Sequence, residues 1–176
     1  EVLYTGVAPD PTAEGYVAPC RYHPNTNLPE PHPRSLYLSR FGNDGANLGE
    51  SIALSTDRFS PSLHDLDVAV DPASGTRFVI FRTIGTSSEP GTPAEGLNGV
   101  IFAGASGTPS APFLVSSAPW GHQRSGRIAF DGTTYLVAWE EDGEVHARRF
   151  DAAGAPLEAD LTLSTGAGAT APRVAA

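Results

Sequence analysis

The chain has no lysine and no methionine, and its 176 residues include a single cysteine, Cys20. One cysteine excludes an internal disulfide framework. With lysine absent, all eleven basic residues are arginine, and the net charge is −9. That shortage of positive charge favours solubility and disfavours nucleic acid or an anionic membrane surface as a partner. No apolar run approaches the roughly 20 residues that a membrane-spanning helix needs. No stretch repeats its apolar residues with the 3.6-residue period of a helix. The missing methionine means the sequence does not open at an initiator: a leader has been removed, or the chain is a piece of something longer. There is no Gly-x-Ser-x-Gly elbow, no phosphate loop and no Ser/His/Asp spacing that singles out a triad. No residue is assigned a catalytic role, and the chain reads as a non-enzyme.

What is abundant is punctuation. Glycine (19) and proline (16) break the chain throughout, which points to many short strands joined by turns. Three segments repeat one pattern: an apolar run, a Gly turn, then a second apolar run ending in Ser or Thr. They are 35–56 (SLYLSRFGNDGANLGESIALST), 98–117 (NGVIFAGASGTPSAPFLVSS) and 143–165 (GEVHARRFDAAGAPLEADLTLST). A repeat of this length is one supersecondary unit that must stack on its neighbours to bury its faces.

The last unit divides into four strands, a to d, at 127–130, 134–140, 145–150 and 157–163, with Asp-Gly and Ala-Gly turns between them. Such a run is an antiparallel meander. The middle unit places a at 66–70, b at 77–83, c at 99–103 and d at 112–116. The first unit has b at 1–5, c at 36–41 and d at 51–55, and 172–176 (PRVAA) begins another strand a, which self-closure would assign to the first unit. The units are thus about 1–56 plus 172–176, 65–117 and 125–165, with long b–c loops at 6–34 and 84–97. Strand b is apolar on both faces: Phe78 and Ile80 oppose Val79 and Phe81, and Tyr135, Val137 and Trp139 oppose Leu136 and Ala138. A strand buried on both faces lies between two sheets. Four-stranded meanders stacked face to face are the blades of a β-propeller. The expected fold is all-β and propeller-like, with about three units, and a β-sandwich is the alternative.

Residues 127–176 also resemble the repeats of large secreted or surface-exposed bacterial β-propeller-like proteins. The likeness rests on Asp131-Gly132, Tyr135-Leu136-Val137, Trp139, the run 147–157 (ARRFDAAGAPL), Leu163-Ser164-Thr165 and Pro172 to Ala175. The middle unit shares it in part. The resemblance implies a structural repeat without catalytic residues, in an extracytoplasmic protein: periplasmic, secreted or on the cell surface. The load of Ala, Gly, Pro and Arg fits a GC-rich bacterial gene. Three units are few for an ordinary ring, so three arrangements arise: a window of a longer protein, which is favoured, pairing with a second copy, or self-closure through PRVAA.

In an up-down meander the b–c and d–a loops leave one edge of the sheets, and the a–b and c–d loops leave the other. Four of the five histidines, His23, His32, His64 and His122, fall in the first group, with Cys20, Tyr22, Arg58, Phe59, Trp120 and Arg124. Function gathers on loops held by a rigid scaffold, so Tyr22, Arg58, Phe59, His64, Trp120, His122 and Arg124 are the candidate binding residues. The expected role is a non-catalytic scaffold or binding module, an accessory subunit contacting a partner protein or larger complex through this face. The alternatives are a carbohydrate-binding or glycoside-hydrolysing propeller, with Asp65, Asp67 or Glu140 as carboxylates, and a metal- or haem-contacting module using Cys20 and His23. No cofactor is assigned. No second cysteine completes a zinc pattern; calcium is a weaker option at Asp65 and Asp67 or at the acidic turns Asn43-Asp44-Gly45 and Asp142-Gly143, none of which has the ligand count of a calcium loop. Trp139 and His146 sit in strands and read as structural.

Overall fold

The computed structural model describes residues 2–4, 6–10, 15–22, 35–55, 62–84, 96–104, 109–118, 122–164, 168 and 170–175. Among them there is no helix, and thirteen strands form three antiparallel sheets. The first holds β1 (Val2–Tyr4), β2 (Ala8–Asp10), β3 (Gly15–Tyr22), β4 (Ser35–Gly42) and β5 (Asn47–Ser55). The second holds β6 (Ser62–Val70), β7 (Arg77–Ile84), β8 (Gly96–Phe102) and β9 (Phe113–Leu114). The third holds β10 (Arg124–Phe130), β11 (Tyr135–Glu141), β12 (Glu144–Phe150) and β13 (Leu161–Ser164). The second and third are the expected meanders, with strands in sequence order.

The first unit corrects the sequence reading. Residues 6–34 are not one loop, because β2 and β3 lie within them. Strand b is β3, which pairs with β4 along its whole length, from Gly15 opposite Gly42 to Tyr22 opposite Ser35. Residues 2–4 are instead the first half of an interrupted strand a: β1 pairs with Cys20 to Tyr22, and β2 pairs with Gly15 to Val17. Each sheet is therefore complete in sequence order. Residues 172–175 form no strand.

The apolar doublets of strand b do what their pattern requires. Val79 and Phe81 enter one core with Leu66, Val68, Val100 and Phe102 of their own sheet and with Ala8, Val17 and Leu38 of the first. Phe78 and Ile80 enter a second core with Tyr135, Val137 and Trp139 of the third sheet. The middle sheet is thus covered on both faces, and neither core joins the first sheet to the third. Phe78 has no exposed surface and meets Tyr135, Phe150 and Phe113 at 5.3–5.6 Å between ring centres. Burying such a ring contributes about 3 kcal/mol. The innermost strands also adjoin, β6 lying beside β10 on one side and beside β2 and β3 on the other. Trp139 is fully buried and His146 stacks on it at 5.9 Å, so both are structural as expected.

Candidate functional site

Strand direction places the starts of β6 and β10, the ends of β7 and β11 and the starts of β8 and β12 at one edge. The register carries this through, with His64 opposite Arg82, Arg82 opposite Leu97, and Arg124 opposite Glu140. This is the edge the sequence singled out for function. His64 and Arg124 lie in strands β6 and β10 rather than in loops, and Tyr22 closes strand β3. His122 is exposed just before β10. His23, Arg58, Phe59 and Trp120 lie outside the described residues, as do 85–95 of the long middle loop. Cys20 sits in β3 opposite Tyr37. No group of three His, Cys, Asp or Glu able to hold a metal occurs among the described residues.

Matching bulges mark this edge. The ladder shifts register between His64 and Asp67 in β6, and between Arg124 and Arg127 in β10. One residue at each bulge takes the left-handed conformation, Asp65 at φ 51° and Ser125 at φ 57°. An extra residue bends the strand and releases its backbone groups from the ladder. Here a neighbouring sheet takes them up, as the Ser125 N–H donates to Asp65 Oδ2 at 3.0 Å. Further along the same pair of strands, Ile128 N–H donates to Asp67 Oδ2 at 3.2 Å. Burial pushes the Asp67 carboxyl above its usual range, opposed by the N–H donors of Ile128 and Val68 and by the charge of Arg127. Arg82 approaches Asp65 at 3.9 Å.

Beyond the bulges lies a polar knot that joins the second and third sheets. Gln123 is 1% exposed. Its Oε1 accepts from Leu97 N–H at 2.8 Å, while its Nε2 donates to Ser116 Oγ, to the Ala118 carbonyl and to Glu141. Glu141 also accepts from Trp139 Nε1 at 3.1 Å. Glu140 is buried and receives both Nε and Nη2 of Arg124. In β8, Asn98 is buried and donates to Thr83 Oγ1 at 3.0 Å and to the Gly96 carbonyl at 3.1 Å.

The sequence reading named Arg124 and His122 as candidates and passed over Gln123 between them, together with Arg82 and Asn98. It named Glu140 only as one of three carboxylates for the carbohydrate-directed alternative. The signal for Glu140 was available: strand alternation sets it on the face of Leu136 and Ala138, two residues past a buried alanine. Nothing in the sequence marks Gln123, whose partners lie 5 to 26 residues away.

The chemistry of the edge is that of satisfied charge. Asp65, Asp67, Glu140 and Glu141 each accept from at least one N–H of this chain. Asp65 and Asp67 clamp one sheet to the next, and Glu140 holds the first residue of β10. No family model matches the chain, and no curated protein matches it. Nine solved chains do. One is described as "Hadza microbial sialidase Hz136", at TM-score 0.55 and 15% identity, covering 84% of this chain. The chain spans 34% of that protein, and at this identity the likeness concerns the fold alone.

Proposed function

We propose that this chain is a non-catalytic binding module of the β-propeller type. It acts in a bacterial extracytoplasmic setting and contacts a partner protein through the edge that carries Asp65, Arg82, His122 and Arg124. The observation that carries the reading is the state of the carboxylates there. A glycosidase needs one carboxyl free to give a proton and a second free to act as nucleophile or base. At this edge each carboxylate accepts N–H donors of the chain, those of Asp65 and Asp67 from the neighbouring sheet and those of Glu140 and Glu141 from their own. His122 and the half-exposed Arg124, held by Glu140, are what this edge turns outward, a surface suited to docking.

A carbohydrate-directed reading has one specific support, the fold-level likeness to a sialidase. Asp67, with its raised carboxyl, is its natural general acid. One experiment separates the two. The purified chain is incubated with aryl glycosides, sialosides included, and its loop variant (residues 86–94 replaced by a short turn) is compared with wild type for binding the partner captured in its native host. The binding reading expects no turnover and a loss of affinity in the loop variant. Turnover that disappears with Asp67→Asn, or affinity unchanged by the loop replacement, contradicts it.

A further inference from the structure

Six arginines of this chain, Arg40, Arg77, Arg124, Arg127, Arg148 and Arg149, each donate a hydrogen bond to a carboxylate or a backbone carbonyl. Arg82 donates none among the described residues. Its side chain is only 18% exposed, and its Nε is wholly buried without an acceptor. Alternation sets Arg82 on the face of β7 that carries Phe78 and Ile80, the face the third sheet covers. Strand β10 passes close over that face at Gly126, where a Cβ would stand 2.7 Å from Leu97, and Leu97 lies directly opposite Arg82 in β8. Among the described residues the one ion-pair partner of Arg82 is Asp65, whose Oδ2 is 3.9 Å from Nη1. That same oxygen accepts Ser125 N–H at 3.0 Å, so the bulge holds the carboxylate beyond hydrogen-bonding reach of the guanidinium. A largely buried cation with an idle donor costs stability. Such a group marks an acceptor that the chain's own described residues do not supply.

We propose that Arg82 is the anchor of the binding edge and takes a carboxylate from the partner protein, an Asp or Glu side chain or a chain terminus. This rests on the binding reading above and names the chemistry of the contact. The fork of guanidinium nitrogens matches the two oxygens of a carboxylate, and weak hydration lets arginine exchange water for such a pair at an interface. A neutral carbonyl would occupy a donor but leave the charge opposed only by Asp65 at 3.9 Å. The net charge of −9 sets the kind of segment that brings the carboxylate. It is a single acid among neutral or basic residues, since a run of acids is repelled by the whole chain. Arg124 does not compete for it, because Glu140 already holds both Nε and Nη2.

The test follows the Arg82 Nε–H resonance of the full chain by NMR, assigned by its loss in Arg82→Met. The probes are acetyl-Ala-Glu-Ala-amide, acetyl-Ala-Ala-Ala with a free C-terminus, and acetyl-Ala-Gln-Ala-amide as the uncharged control, all at matched sodium chloride. The expected result is a saturable shift with one or both carboxylates and none with the Gln peptide. Which of the two acts tells a side chain from a chain terminus. A second arm compares wild type and Arg82→Met for affinity towards the partner captured in the native host, and for melting temperature. Affinity is expected to fall about thirtyfold or more. The melting temperature is expected to hold or rise, because the variant removes an idle buried charge. No saturable shift from either carboxylate overturns the proposal, as does partner affinity unchanged in a variant whose melting temperature falls. A saturable shift with no partner captured upholds Arg82 as a carboxylate site and counts against the binding reading instead.

Discussion

Asp65 and Ser125 occupy the same bulge position in neighbouring sheets, both left-handed, and the carboxylate of one accepts the backbone N–H of the other at 3.0 Å. Each bulge alone would leave an unpaired donor and a strained residue. Facing one another, they convert two local defects into a joint between β6 and β10. Asp65→Ala should therefore cost about 1–3 kcal/mol, because it strands a partly buried N–H. Asp65→Asn keeps an acceptor and should cost less. Ser125→Gly keeps the N–H and relieves a left-handed strain of about 1–2 kcal/mol, so it should be neutral or mildly stabilising. Urea melts of the three variants check the order.

The opposite edge is tied by a buried ion pair. Arg77 Nη2 lies 2.9 Å from Asp10 Oδ2 with both side chains fully buried, and Arg40 Nε reaches the same oxygen at 3.0 Å. Removing one member leaves charge without compensation in a dry site. Asp10→Ala should cost about 3–5 kcal/mol and loosen the first sheet selectively. Hydrogen exchange should show protection falling in β2 to β4 while β10 to β12 hold.

Asp67 gives the fold a pH dependence of definite sign. Burial raises its folded-state value above 3.8, so the folded chain holds the proton more tightly than the unfolded one. Its contribution is most favourable below 3.8 and is lost as pH rises through the raised value. Asp67→Asn removes the ionisation. The difference in melting temperature between variant and wild type should move in favour of the variant as pH climbs from 3.8 towards neutrality. A difference that stays constant over that range would contradict this.

Gln123 is the second joint. Its Oε1 is an acceptor for Leu97 N–H, and its Nε2 donates to the Ala118 carbonyl. Gln123→Ala should cost about 1–3 kcal/mol for each buried group left unpaired. Gln123→Glu keeps the acceptor but turns a carboxylate towards Glu141 and the Ala118 carbonyl. It should be more destabilising at neutral pH than in mild acid, where the new carboxyl carries a proton. Thermal melts at two pH values read this directly.

How much was legible follows from which physics wrote it. The doublets Phe78/Ile80 and Val79/Phe81 fixed the position of the middle sheet, since a strand apolar on both faces has one kind of home. The Gly turns set the order of strands in the second and third sheets. The first sheet was misread because its strand a is interrupted between β1 and β2, and because Pro19 and Cys20 within β3 interrupt the apolar pattern that β7 and β11 display. The edge was legible, since strand direction alone fixes it. The partners of the knot at Gln123 and Glu141 were not. A buried amide is recognised only by partners that the fold brings to it.

The measurement that bears most directly on the binding edge is site-specific photocrosslinking in the native host, with the probe at His122 and, for comparison, at Gly132 on the opposite edge. A discrete protein adduct from position 122 and none from position 132 is the expected result. An adduct from position 132 alone would put the contact on the short-turn edge and contradict the account.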